Sequence, residues 1–509
     1  MLEKNLSITF SNKVWINKEK NQNLYQRTNS TNIFFLIGRL EENNYKFMNT
    51  DNIILLTDSY KLAHHLMQTA GTTTIYDYFE SRKGAQFDNT VFFGLQRLIK
   101  KYLLGKVVTR ENIEDAALLS KAHFGNDKIF NREGWEYILN EFGGKLPVVI
   151  RAVPEGLSVP TNNVLMTVYN LGGPKTAFLT GHLETLLTHV WYTSTVATLS
   201  RETKKIIKSF MDRTSENSAG LDFMLHDFGF RGVSSVESAG AGGMAHLVNF
   251  KGTDTVQAMT DAMYYYGASL EGLAYSVPAT EHSIMTSRGP QGECDVIGDL
   301  IKQFPTGILS VVIDSYNDVR CVRDYIGTTH RESILARDGV FVVRPDSGEP
   351  EEVTLKLITI LGNQFGSTIN SKGYRVLNPK VRVLWGDGID IRGIRGILGT
   401  LLVNGWSAEN MVFGMGGGLL QKVHRDTQRF AFKCSAQKLN DKWVDIYKDP
   451  IDKTKASKRG RLKLTRNSVG AFETVSFDTN GKDLLEVVFE NGELVKTYTF
   501  AEVRKNAEI

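Results

Sequence analysis

Residues 413–425 read FGMGGGLLQKVHR, an apolar run ending in Gly414, Gly416, Gly417 and Gly418 and passing directly into a run that predicts a helix start. Glycines permit positive φ and close backbone approach, so several N–H groups can converge on one anion while a helix N-terminus adds partial positive charge. Gln421, Lys422 and Arg425 fall within two helical turns and offer a cation to a bound phosphate. Standing alone, such a cluster reads equally well as a flexible hinge. The chain upstream decides between the two.

From about residue 220 the same unit recurs: a short apolar run, a glycine-rich or acidic loop, then a helical segment. Seven junctions read this way, LHDFGFRG (225–232), HLVNFKGTD (246–254), LAYSVPATEH (273–282), ILSVVIDSY (308–316), VFVVRPDSG (340–348), VRVLWGDGID (381–390) and MVFGMGGG (411–418). Spacings of roughly 20 to 40 residues suit a strand, crossover helix and return, and segments 255–266 and 351–365 supply helices. Polar residues always follow the strand, which in a barrel of parallel strands gathers them at its C-terminal face. An open doubly wound sheet is the alternative and collects ligands at the same strand ends.

Residues 1–47 are rich in Asn and Lys without a sustained period and predict a disordered extension. Order is expected from NIILLTDSYKLAHHL (52–66), where Asp58, Tyr60 and Lys61 follow an apolar run. IYDYFESR ends in Arg82, GLQRLIKKYLLG (94–105) has amphipathic helical spacing, and 178–213 is mostly helical, ending in the basic stretch Lys204, Lys205 and Lys208. After Arg425 the pattern is strand-like, closing with LLEVVFENGELVKTYTF, whose Asn491 and Gly492 suit a two-residue turn. The basic stretch DKTKASKRGRLKL (452–464) reads by default as a solvated loop. The resulting division is 48–200 and 427–509 as the two parts of a flanking α+β domain, with 201–426 as an α/β barrel carrying the site.

Hydrophobic residues at 41%, charged residues at 23% and a net charge of +4 describe a globular chain without the charge excess of a nucleic-acid binder. No apolar run reaches the ~18 residues that span a bilayer. Cys294, Cys321 and Cys434 are too few and scattered for a disulfide framework or a zinc site, so a cytoplasmic protein is expected. The strand-end residues describe a site for a phosphorylated sugar and a flat ring. The glycine loop and Arg425 suit a phosphate, Asp346 and Asp387 can accept from ribose hydroxyls, and Phe228 and Tyr60 offer aromatic faces. Arg231, Arg344 and His282 can meet further negative charge. Walker A, HExxH and GxSxG sequences are all lacking.

LLTDSYK, LHDFGFRGVSS, HLVNFKGTDT, YSVPATEHS, RPDSG, GDGIDI and FGMGGGLLQK closely resemble, in order and across residues 50–507, the motifs of the nicotinamide phosphoribosyltransferase family. The resemblance implies an irregular type II phosphoribosyltransferase-like barrel and a homodimer with shared sites. It also implies transfer of phosphoribose from phosphoribosyl pyrophosphate to nicotinamide, with Mg²⁺, and ATP as an energy-coupling co-substrate. By motif, Phe228 and Tyr60 would sandwich the pyridine ring, Tyr60 coming from the partner subunit, and Asp254 would receive the carboxamide N–H. Arg344, Asp346, Gly386 and Asp387 would hold ribose and nearby phosphate; Gly416, Gly417 and Arg425 the nucleotide phosphate; Arg231 and His282 pyrophosphate. Ser276 and Ser310 join the substrate-binding set, and His282 matches the phosphorylated histidine. Arg82, Lys433, Lys448 and Lys455 match cations reaching phosphates across the dimer interface. His282, Asp346 and Arg344 are the expected catalytic residues. Departures are the N-terminal extension, since relatives begin near Met48, and Met415, where a small residue is common.

The physics agrees with that chemistry. A pyridine nitrogen attacks with its own lone pair, so no general base is needed; the reaction needs cations for departing pyrophosphate and carboxylates for a cationic sugar. A nicotinate-specific relative would share the architecture and differ at Asp254. A non-enzymatic nucleotide-binding or signalling protein is the rival of another class.

Overall fold

The computed structural model describes residues 48–451 and 456–509; the expected extension 1–47 and the candidate cation Lys455 lie outside the described residues. Runs rich in Val, Ile, Leu and Phe form a six-stranded parallel sheet. Its order is Gly252–Thr253, Leu225–Asp227, Met411–Met415, Val381–Trp385, Asp338–Arg344, Thr306–Val312. Its two edges are joined by the stretch 275–280. Tyr275 N–H donates to Lys251 O (2.7 Å) and Thr253 N–H to Tyr275 O (3.0 Å); on the far side Ser310 N–H donates to Pro278 O (2.9 Å) and Thr280 N–H to Ser310 O (3.0 Å). The sheet thus closes into an irregular parallel α/β barrel.

Two of the expected strand runs differ. The 273–282 run is a seam of isolated bridges, because Pro278 has no N–H to donate and holds its own φ. In 246–254 the apolar residues Leu247, Val248 and Phe250 are buried in a turn after the helix Val236–His246, and the strand is only Gly252–Thr253. The helix after the glycine loop is a single turn, Gly417–Leu420. Its next bond would run from Lys422 N–H to Gly418 O, but Lys422 N–H donates instead to Gly417 O (2.7 Å); further on, Tyr192 Oη donates to Leu420 O (2.9 Å) and His424 N–H to Thr427 Oγ1 (3.1 Å). Lys422 and Arg425 therefore do not ride on a helix.

Segments from both sides of the barrel in sequence build a seven-stranded antiparallel sheet. Its order is Lys442–Asp445, Phe430–Leu439, Thr72–Ser81, Asn163–Asn170, Val148–Ala152, Glu486–Glu490, Glu493–Leu494. Asn491 and Gly492 both have positive φ, 47° and 80°, as a type I′ turn requires. The chain then returns to the barrel: Thr499 and Glu502 make a capping box, and Phe500 and Val503 of the helix Phe500–Asn506 are buried in the barrel core. Buried Glu155 ties the two parts together, accepting from the Gly94 and Gln96 amides (2.7 and 2.6 Å) and from the Tyr266 hydroxyl (2.7 Å).

Candidate active site

Phe228 leaves the strand Leu225–Asp227 with its N–H bonded to Met415 O (3.1 Å), and its ring lies against Gly414 of the neighbouring strand and Gly386, which follows the strand Val381–Trp385 beyond it. Asp254 follows Gly252–Thr253, its N–H donating to the carbonyl of Asp227, the residue before Phe228 (2.9 Å). The Ser276 hydroxyl, from the seam, donates to Asp254 Oδ1 (2.5 Å). The flat-ring candidate and the acid expected to read its substituent thus stand on adjacent strand ends.

Across the mouth, His282 opens a short helix after the seam, and its Nε2 lies 3.1 Å from Asp314 Oδ1. Asp314 also accepts from the Ser347 hydroxyl (2.5 Å). Asp346 sits in the same group: burial lifts its carboxyl above the usual range, Arg344 opposes this, Asp314 and Asp387 add to it, and His282 opposes. A carboxyl held up by burial and by neighbouring carboxylates favours a cationic ligand. Arg344 Nε and Ser310 Oγ are buried with no partner among the described residues, leaving a donor and a hydroxyl for a ligand. In GDGID, Asp390 is used up as a helix cap, accepting from Arg392 and Gly393 N–H (2.8 and 3.1 Å), while Asp387 is exposed at the strand end.

A second group forms where the two chain halves pair. Arg82 ends the strand Thr72–Ser81, and its backbone N–H and Nε both donate to Arg429 O (3.3 Å each). Arg82, Arg425, Arg429, Lys433 and Lys448 line one cavity of about 180 Å³ with Glu184 and Thr188. Five cations against one carboxylate make a polyphosphate-sized anion site. Gly416 and Gly417 stand at the end of the 411–415 strand, and exposed Arg231 lies on the turn Phe230–Gly232. A larger, mainly apolar cavity of about 500 Å³ is lined by Leu98, Tyr102, Trp191 and Leu420, but Arg97 on its wall is already paired with Asp261 (2.8 Å). The strand-end group, with its unpartnered donors, is the better place for chemistry.

Tyr60 is not brought to Phe228. It is 57% exposed on the 3₁₀ segment Ser59–Leu66, with ring contacts to His64 and Lys61. Of the basic loop, Lys458 turns inward to buried Glu80 and Arg461 pairs with Asp478 (2.8 Å), so these charges are structural. Met415 is buried in the barrel core with its side chain against the loop it precedes: a Cβ added at Gly418 would stand 3.2 Å from Met415 Cγ. Sequence reasoning passed over Asp314, Arg429, Glu184 and His226. Asp314 had a signal, an acid directly after the apolar run of ILSVVIDSY; the others are recognisable only through their spatial neighbours.

Beneath Phe228, burial raises the Asp227 carboxyl to about 6, against hydrogen bonds that include one from the Gly229 amide (2.7 Å). The folded state therefore holds this proton more tightly than the unfolded chain. The contribution to stability is present at acid pH, is lost as pH rises from about 4 through about 6, and is constant above that. Asp227→Asn should stabilise the protein by roughly 2 to 3 kcal/mol at pH 7.5 and hardly at all at pH 4. Urea unfolding at both pH values measures this, and a variant no more stable at pH 7.5 would show that the charged carboxylate is well accommodated.

Among the described residues no helix is long and apolar enough to cross a membrane, and no three acidic, histidine or cysteine side chains form a metal cage. The nicotinate phosphoribosyltransferase family matches residues 223–493, and the N-terminal domain of nicotinamide phosphoribosyltransferase matches residues 52–150. The chain is 46% identical over 469 residues to a nicotinamide phosphoribosyltransferase of Xanthomonas campestris, covering 90% of this chain and 98% of that protein. It is 31% identical over 444 residues to a nicotinamide phosphoribosyltransferase of Mycoplasma genitalium, covering 81% and 96%. The solved nicotinate-nucleotide pyrophosphorylase from Pyrococcus furiosus shares the fold, with a TM-score of 0.57 at 16% identity over 91% of this chain and 96% of that one.

Proposed function

Because the chain belongs to the nicotinamide phosphoribosyltransferases of the nicotinate phosphoribosyltransferase family, we infer that it transfers phosphoribose from phosphoribosyl pyrophosphate to nicotinamide. It is a pentosyltransferase of NAD biosynthesis, and its products are nicotinamide mononucleotide and pyrophosphate. The observation that carries the choice of nicotinamide over nicotinate is the acid beside the ring seat: Asp254, held by Ser276, can accept a carboxamide N–H and repels a carboxylate.

In this reading the ring lies on Phe228 with its nitrogen toward the sugar, and that lone pair forms the new bond to C1 as the bond to pyrophosphate breaks. Asp346 and Asp387 hold the ribose and offset the positive charge that develops on it. Gly416, Gly417 and Arg425 hold the 5′-phosphate, while Arg231, Arg344 and His282 face the leaving pyrophosphate. Mg²⁺ needs only one or two carboxylates besides substrate phosphates. The mutually repelling Asp346 and Asp387 fit that requirement, and the ion would neutralise pyrophosphate charge. Tyr60, exposed and remote from Phe228 in contacts, suits a ring stacked from a second copy of the chain in a homodimer; Arg82, Lys433 and Lys448 would then reach phosphates across the interface. ATP would act through phosphorylation of His282, in a cytoplasmic enzyme.

Steady-state assays of the wild type and His282→Ala, with nicotinamide or nicotinate and with or without ATP, test this reading. The wild type should use nicotinamide far better than nicotinate and respond to ATP. His282→Ala should lose the ATP response yet keep ATP-independent transfer. Preference for nicotinate would overturn the substrate reading, and ATP hydrolysis by His282→Ala in step with product would overturn the role of the histidine.

A further inference from the structure

The rings of His226 and Phe228 lean on three glycines: Gly252 and Gly414 in the two strands beside Leu225–Asp227, and Gly386 just after the strand Val381–Trp385. His226 is paired in register with Gly252, where an added Cβ would stand 2.6 Å from the imidazole Cγ. On Gly414 an added Cβ would stand 2.8 Å from Phe228 Cζ and nearer still to Cε2 and Cδ2. On Gly386 the clearances to Cε2 and Cδ2 are 3.2 and 3.4 Å. None of the three glycines has positive φ, so the backbone does not demand them; the missing side chain does. Phe413 and Met415, on either side of Gly414, are buried in the barrel core. Strand alternation therefore turns position 414 to the opposite face, where the Phe228 ring lies.

We propose that Gly414 and Gly386 are positioning residues that set the depth of the Phe228 ring and, through it, the width of the slot for the flat heteroaromatic substrate. This rests on the reading of Phe228 as the ring seat. Carbon atoms in ordinary contact stand about 3.5 to 4 Å apart. A methyl group on Gly414 therefore drives the Phe228 ring away from the 411–415 strand and into the space the substrate ring would occupy. A methyl group on Gly386 asks for a shift of only a few tenths of an ångström. The effect of Gly414→Ala belongs in KM for the ring substrate, because Gly414 is not placed against the sugar or pyrophosphate; Gly386 borders the expected ribose site, so its effect is read by whether the penalty disappears with Phe228→Leu.

Gly414→Ala and Gly386→Ala, each alone and combined with Phe228→Leu, give the test by steady-state kinetics and thermal melting. Gly414→Ala should raise KM for nicotinamide about tenfold, with kcat and KM for phosphoribosyl pyrophosphate within about twofold, and Gly386→Ala should raise KM for nicotinamide about threefold. Phe228→Leu should itself raise KM for nicotinamide, and neither alanine should add a further penalty to it, since the clashing ring edge is gone. Equal penalties with Phe or Leu at position 228, or a loss in kcat alone, overturn the inference while leaving the ring seat intact. If Phe228→Leu leaves KM for nicotinamide unchanged, the ring-seat reading itself fails and the inference with it. Should Gly414→Ala not fold, Gly386→Ala, with its wider clearance, supplies the same comparison.

Discussion

Asp254→Ser is expected to weaken use of nicotinamide by roughly 10- to 150-fold and to improve use of nicotinate, inverting or nearly inverting the substrate preference. A hydrogen bond to a charged group contributes about 1.5 to 3 kcal/mol, and here the acceptor is a carboxylate already oriented by the Ser276 hydroxyl at 2.5 Å and by its own N–H on Asp227 O. Serine keeps a polar group of smaller size but removes the charge that repels an anionic substituent. Ser276→Ala is the control: it leaves the carboxylate in place without its tether, so nicotinamide use should fall less and nicotinate use should not rise. The ratio of kcat/KM for the two substrates decides the matter. A ratio unchanged in Asp254→Ser would show that another residue reads the substituent.

Tyr60→Ala and Asp254→Ala should each be nearly inactive as homodimers, yet recover to roughly a quarter of wild-type activity when co-expressed in equal amounts. In a twofold dimer with sites built from both copies, random pairing makes half the dimers mixed, and each mixed dimer has one intact and one doubly damaged site. The motive is the exposure of Tyr60 at 57% and the absence of any described ring contact between it and Phe228. Purified homodimers mixed without subunit exchange should stay inactive. Activity no higher than the mean of the two mutants, in preparations shown to contain mixed dimers, would mean that the site is completed within one chain.

Most of the barrel was legible because apolar runs ending in acids or glycines have few structural alternatives, and 308–316, 340–348, 381–390 and 411–418 became strands with those polar residues at their C-terminal ends. What escaped was set by partners far away in sequence. The glycine-loop helix ends after one turn at Leu420, whose carbonyl is taken by the Tyr192 hydroxyl, a bond that no local pattern announces. The cation cavity exists because the strand Thr72–Ser81 pairs with Phe430–Leu439, bringing Arg82 beside Arg425 and Lys433. Asp314 stood in a quoted run, but its importance came only from His282 and Ser347 arriving on either side of it. The terminal helix was local and still missed: Thr499 and Glu502 spell a capping box, while the preceding apolar residues drew the reading toward strand.

The barrel wall is not equally tough around its circumference. Elsewhere neighbouring strands are laced directly to one another, whereas the seam at 275–280 is tacked down at Tyr275 on one margin and around Ser310 on the other. Ser276 and Asp254 flank the first margin; Ser310 and the approach to His282 flank the second. A molecule touching both groups acts as a stitch across the loosest arc of the wall, so the vessel is tightest when full and slackest when empty. Amide hydrogens along the seam are then the natural gauge of occupancy, exchanging fastest in the free protein and slowing when both margins are gripped.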